Sequence, residues 1–169
     1  MKFDKTNNSI KALFISAFIF IALFVLTSSS NNLENSDEVI NSSFTREALI
    51  EEIKCHDFKY PDLILAQAVL ESGHFKSSVF KENNNLFGMR QPRKRFTLCK
   101  GSNLNHGVYN NWKVSVEDRM IYDTLYLKDM TRTQYLKFLD NVYCKSGYYS
   151  RTLENLIKKN DLKECFDEE

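Results

Sequence analysis

The chain has 169 residues, 27% of them charged, with a formal net charge of +1. That balance indicates neither a nucleic-acid-binding nor an acidic class, and the length suits one domain of ordinary size once a targeting segment is set aside. Four cysteines without a Cys-x-x-Cys pair and three isolated histidines give no metal-binding pattern, so no metal or cofactor is expected.

The amino terminus reads as an export signal. Lys2, Lys5 and Lys11 precede an apolar run from Ala12 to Leu26 broken only by Ser16, which is signal-peptide length and short for a membrane-spanning helix. Residues 1–30 are therefore expected to be a signal peptide or an uncleaved signal anchor, with the positive end inside and the remainder outside the cytoplasm. The expected location is the periplasm or cell envelope. Residues 31–42, polar and acidic, are expected to be a flexible linker to a domain over residues 43–165. In an exported chain Cys55, Cys99, Cys144 and Cys165 allow disulfides in three pairings, and spacing does not choose among them.

Within the domain, Ser43 or Thr45 is expected to cap a helix ending near Cys55 and His56, with Leu49, Ile50 and Ile53 as its apolar stripe. Pro61 opens a second helix and Gly73 closes it. From Leu63 to Leu70 its only polar side chain is Gln67, so it is expected inside the domain. Glu71 ends this buried helix, where the negative end of the helix dipole and loss of water both favour the protonated carboxyl. A carboxylic acid held protonated near neutral pH is what a general acid requires.

Phe75 to Phe80 reads as a turn or single helical turn, and Asn83 to Asn85 as loop chemistry before Leu86 and Phe87 re-enter the core. From Asn83 to Val116 there is no Asp or Glu, while Arg90, Arg93, Lys94, Arg95, Lys100 and Lys113 all fall there. Such a cationic segment is most simply a solvated loop face, and it also suits an anionic polymer. Runs at Arg95–Cys99 and Gly107–Asn110 predict a hairpin around an intervening loop. Ser115 with Asp118 predicts a capping box, followed by a stripe of Val116, Met120, Ile121 and Leu125; Thr131 with Gln134 predicts another. A last helix is expected over Arg151–Lys159, after a turn from Tyr143 to Tyr149. His56 and His106 read as ordinary surface or half-buried side chains; His74 is close enough to Glu71 to line a cleft without assigned chemistry.

Three stretches carry a family likeness: Ala66-Gln67-Ala68-Val69-Leu70-Glu71-Ser72-Gly73; Asn84-Asn85-Leu86-Phe87-Gly88-Met89-Arg90; and Tyr109 with Trp112 and Ser115-Val116-Glu117-Asp118. Together they resemble the endo-β-N-acetylglucosaminidase domain of bacterial cell-wall hydrolases, glycoside hydrolase family 73, over about residues 45–162. The resemblance implies a mainly α, lysozyme-like helical domain with a small β-hairpin lobe beside the cleft. It implies cleavage of the peptidoglycan glycan strand after N-acetylglucosamine; a monomer is expected, and the export signal argues against nucleic acid as a partner. Glu71 is then the general acid, Tyr109 steadies the acetamide or water, and Gln67, Asn85, Phe87, Gly88 and Trp112 contact substrate. The family turn Gly-Tyr-Ala-Thr-Asp is reduced here to Gly147-Tyr148.

Glycoside hydrolysis ordinarily uses two carboxyl groups. The predicted hairpin carries none, and Glu82, Glu117 and Asp118 each have an ordinary explanation as a loop or helix-start charge. Attack by the substrate's own N-acetyl oxygen would serve instead. A non-catalytic glycan-binding module and a muramidase or lytic transglycosylase on the same plan are the alternatives.

Overall fold

The computed structural model describes residues 44–143 and 148–167, which fall in the compact unit Asn41–Glu169. The proposed export signal, the linker and Cys144 lie outside the described residues. Among the described residues no helix is long and apolar enough to cross a membrane, and Cys55, Cys99 and Cys165 are free thiols.

The described elements are α1 (Arg46–Lys54), α2 (Pro61–Glu71), α3 (Ser78–Asn83), β1 (Gly101–Asn103), β2 (His106–Val108), α4 (Trp112–Tyr126), α5 (Arg132–Tyr143) and α6 (Tyr149–Lys159). The expected mainly helical plan with a small hairpin is the one observed. The helix α1 starts where Thr45 accepts the Ala48 amide at 3.0 Å, with Glu47 in its first turn and Lys54 in its last. Both charges complement the helix dipole. Its buried Leu49, Ile50 and Ile53 face inward, and α1 packs against α2.

The core is built round α2. Pro61 occupies the first turn, where its missing N–H leaves nothing unpaired, and Asp62 to Val69 are all buried. Leu63, Ile64 and Leu65 are fully buried, each contributing about 1.5–3 kcal/mol by leaving water. The helix stops at Ser72, and Gly73 turns the chain at φ 58. Asp62 is offset by a two-pronged pairing with Arg132 at 3.0 and 2.7 Å, which fastens the start of α5 to the start of α2. Arg132 also reaches Glu154 of α6 at 3.0 Å.

Three local expectations are corrected. The helical turn expected within Phe75–Phe80 begins later, because Ser77 caps α3 by accepting the Phe80 amide at 3.1 Å. The hairpin pairs Gly101 with Val108, Ser102 with Gly107 and Asn103 with His106, so residues read as its loop form its first strand. Leu104 and Asn105 make a two-residue turn with φ of 53 and 61, whose twist suits antiparallel strands. Residues 95–99 are drawn to side chains instead of a partner strand: the Leu98 amide donates to Asp118 at 3.0 Å and the Cys99 amide to Thr97 at 3.1 Å.

The third correction concerns α4. Its cap is Asn111, which accepts the Val114 amide at 3.2 Å, so Ser115 and Asp118 lie inside the helix and form no capping box. Its inward residues include Val116, Arg119 and Asp123, while Leu125 is 56% exposed. The Thr131–Gln134 box before α5 is present, the Thr131 amide donating to Gln134 at 2.8 Å. Tyr135 and Leu139 of α5 and Leu153 and Ile157 of α6 complete the core.

Candidate active site

Glu71 lies half-buried in the last turn of α2, and its Oε1 accepts a hydrogen bond from the Tyr149 hydroxyl at 2.5 Å. Gln67, one helical turn earlier, donates from Nε2 to the same hydroxyl at 3.2 Å. Spacing of four residues puts Gln67 and Glu71 on one face of α2, aimed at the first residue of α6. Arg119 of α4 donates from Nη2 to Gln67 Oε1 at 2.9 Å and to the Tyr135 hydroxyl at 2.6 Å. Tyr135 in turn donates to Asp123 Oδ1 at 2.6 Å.

These bonds form one line, Asp123–Tyr135–Arg119–Gln67–Tyr149–Glu71, drawing on four helices. Arg119 is fully buried, and its guanidinium also lies over the rings of Phe87 and Tyr122 at 5.9 and 5.3 Å, where ring faces favour a cation. Asp140 seats the end of the line by accepting the Ser150 amide at 2.7 Å and the Ser150 hydroxyl at 2.8 Å, next to Tyr149.

Burial raises the pKa of Glu71 above the ordinary glutamate value. The Tyr149 hydrogen bond and the charges of Arg119 and His106 oppose that rise without cancelling it. Asp123 is likewise raised by burial, opposed by Arg119 and by the Tyr135 hydrogen bond. Glu71 is thus a carboxyl biased toward holding its proton, with a hydroxyl in place to donate a hydrogen bond to the carboxylate when the proton leaves.

Gly88 closes one side of this carboxyl. A Cβ at that position would stand 3.4 Å from Glu71 Oε2, and the residue has φ +61, a conformation costly for any side-chain-bearing residue. Asn85 creates that approach. It is fully buried and accepts the Phe87 and Met89 amides at 3.3 and 3.2 Å while donating to the carbonyls of Met89 and Gly107 at 2.8 and 2.9 Å.

The residues expected at the site therefore divide. Gln67 and Gly88 meet Glu71 or its partner. Asn85, Phe87 and Trp112, expected to contact substrate, lie in the core with exposures of 0, 1 and 3%. Phe87 underlies Arg119, and Trp112 meets Phe44 edge-on at 5.4 Å. Tyr109, expected to steady the acetamide or water, faces Asp118. It is 2% exposed and gives its hydroxyl hydrogen to Asp118 at 2.8 Å, which, with burial, pushes its own proton loss far up.

Asp118 receives more than Tyr109. Arg95 grips both its oxygens at 2.9 Å. Burial works against its charge, yet Arg95, the Leu98 amide and Tyr109 together hold it below the ordinary aspartate value. Glu82 and Glu117 are exposed. Among the described residues the groups that act on Glu71 are Tyr149, Arg119 and His106, none of them a carboxylate, and no cluster of His, Cys, Asp and Glu could hold a metal ion.

Sequence reasoning missed Tyr149, Arg119 and His106. Tyr149 falls where the chain departs from the family's turn. Arg119 carried a signal, an Asp four residues on and in phase with Val116, that an apolar-stripe reading discards.

The family model described as mannosyl-glycoprotein endo-β-N-acetylglucosaminidase matches residues 46–162. Among solved structures, the catalytic domain of the autolysin Auto from Listeria monocytogenes aligns with a TM-score of 0.50 at 19% identity, covering 98% of this chain and 99% of that one. At that identity the likeness speaks for the fold. Comparison with curated proteins gives no match. With the family model covering more than half of the chain, the protein belongs to the mannosyl-glycoprotein endo-β-N-acetylglucosaminidase family and is a glycoside hydrolase.

Proposed function

We propose that the protein hydrolyses the glycan strand of peptidoglycan on the far side of N-acetylglucosamine, with Glu71 as general acid. The observation that carries this reading is the setting of Glu71: a carboxyl at the end of a buried helix, raised by burial and touched by the Tyr149 hydroxyl. In the first step Glu71 gives its proton to the glycosidic oxygen as the bond from the anomeric carbon to that oxygen breaks. The acetamide oxygen of the same sugar forms the replacing bond, which suits a site whose described groups supply no second carboxylate. Water then opens the oxazolinium ring, and the Glu71 carboxylate takes the proton that water releases.

Whereas Tyr109 is bonded to Asp118, Tyr149 touches Glu71 and serves the acid directly. Its hydroxyl stabilises the Glu71 carboxylate between the two steps, and the Arg119–Gln67 line fixes the hydroxyl's position. Export to the cell envelope accords with this substrate and with the apolar amino-terminal run.

The test is product mass from purified peptidoglycan. A reducing N-acetylglucosamine end is expected; an anhydro sugar or a reducing N-acetylmuramic acid would assign the chain to the transglycosylase or muramidase reading. Glu71→Gln, which keeps shape and removes the proton, should lower turnover about 10²–10⁴-fold, and undiminished clearing of peptidoglycan by that variant would remove Glu71 from the mechanism.

A further inference from the structure

The long cationic segment is only partly neutralised. Of its six cations, Arg95 pairs with Asp118 and Lys113 with Glu52 at 3.0 Å. Arg90 and Arg93 are exposed, and among the described residues neither has an acidic partner. Both line a cavity of about 590 Å³ with Gln91, Pro92, Ser102 and Asn105. Its lining is two guanidinium groups plus neutral hydroxyl and amide groups, with no carboxylate and no aromatic ring. Two guanidiniums suit a carboxylate's paired oxygens, and a wall without rings has no platform for stacked bases.

The cavity is joined to the active site on both sides. Gly88, against Glu71, is two residues before Arg90, so their Cα atoms are within about 8 Å. His106, whose charge acts on Glu71, directly follows Asn105. The two walls are tied together where the Gly107 amide donates to the Met89 carbonyl at 2.8 Å. The pocket is thereby held at a fixed offset from the acid.

We infer that the pocket between Arg90, Arg93, Ser102 and Asn105 is a subsite for a carboxylate of the peptide stem carried by the sugar next to the cleaved bond. This rests on the peptidoglycan reading above and adds a determinant of which strands are cut. A strand freed of stems keeps only the lactyl carboxylate held close to the sugar ring, whereas the stem carries its carboxylates further out. The subsite selects stem-bearing strands over stripped ones.

The experiment compares the full chain on three substrates: glycan strands with stems, strands freed of stems, and strands whose stem carboxyls are converted to amides. Wild type should show kcat/KM about tenfold higher on the first than on the other two, equivalent to about 1.4 kcal/mol. In the double variant Arg90→Gln, Arg93→Gln that ratio should fall to about one. Binding of the Glu71→Gln chain to the same strands by co-sedimentation should show the same preference without turnover. Equal cleavage of all three by wild type, or a preference retained by the double variant, overturns the subsite. Absent turnover with the binding preference intact supports the subsite and counts against the hydrolase reading alone.

Discussion

Glu71 and Asp118 are two carboxylates withdrawn from water, and their acidities move in opposite directions. Asp118 is fully buried and yet more acidic than an ordinary aspartate; Glu71 is only half-buried and yet less acidic than an ordinary glutamate. Burial works against the charge of both, so the direction is decided by what opposes it. Asp118 is met by a two-pronged guanidinium, a backbone amide and a hydroxyl, whereas Glu71 is met by one hydroxyl and by charges acting from further off. The first set fixes an anion that braces a loop, and the second leaves a proton available for transfer.

Removing the brace should make Asp118 behave as Glu71 does. In Arg95→Leu a buried carboxylate loses its counterion, and the fold should lose about 3–5 kcal/mol in urea unfolding at neutral pH. The sign with pH follows. A depressed folded-state value contributes stability above the unfolded carboxylate range and loses it as pH falls through the folded value. Without Arg95 burial acts with less opposition, so the gap between variant and wild type should narrow on acidification. A gap that stays constant with pH would show that Arg95 acts by packing alone.

Gly88→Ala presses on the other carboxylate. Backbone strain at φ +61 should cost about 1–2 kcal/mol of stability, and the added methyl, 3.4 Å from Glu71 Oε2, should reduce turnover on peptidoglycan beyond what the lost stability explains. Normal turnover in the folded fraction would mean that this oxygen is not the one that acts.

Tyr149→Phe isolates the hydroxyl. The bond it removes favours the Glu71 anion, so the pKa of Glu71 should rise further. Activity that requires the protonated acid is lost as pH climbs through that value, so the alkaline limb of the kcat/KM profile should move to higher pH, with kcat about tenfold lower, or ~1.4 kcal/mol. A limb that stays in place would separate Tyr149 from Glu71. Thr45→Ala, remote from both carboxylates, should cost about 1 kcal/mol in thermal unfolding through the lost cap and leave the alkaline limb unmoved.

Local chemistry that acts on its own neighbours was legible before the fold was seen. The Thr45 cap, the Pro61 start, the Gly73 stop and the Thr131–Gln134 box are such cases, and each appears at the expected residue. What failed was polar chemistry spent over long distances. Ser115 and Asp118 have the spacing of a capping box, but Asp118 is claimed by Arg95, 23 residues back, so the cap passes to Asn111. Arg95–Cys99 has strand-forming residues, yet its amides go to side chains and the hairpin forms further on. Glu71 was visible as a carboxyl ending an apolar helix. Its partner Tyr149 was not, being 78 residues away and brought near only by packing of α6 on α2.

Titration of the Glu71 carboxyl by carbon NMR in the full chain, assigned by its loss in Glu71→Gln, tests the account most directly. A midpoint above the ordinary glutamate value, moving higher still in Tyr149→Phe, is the predicted result. A midpoint at or below the ordinary value, unmoved by Tyr149→Phe, would contradict it.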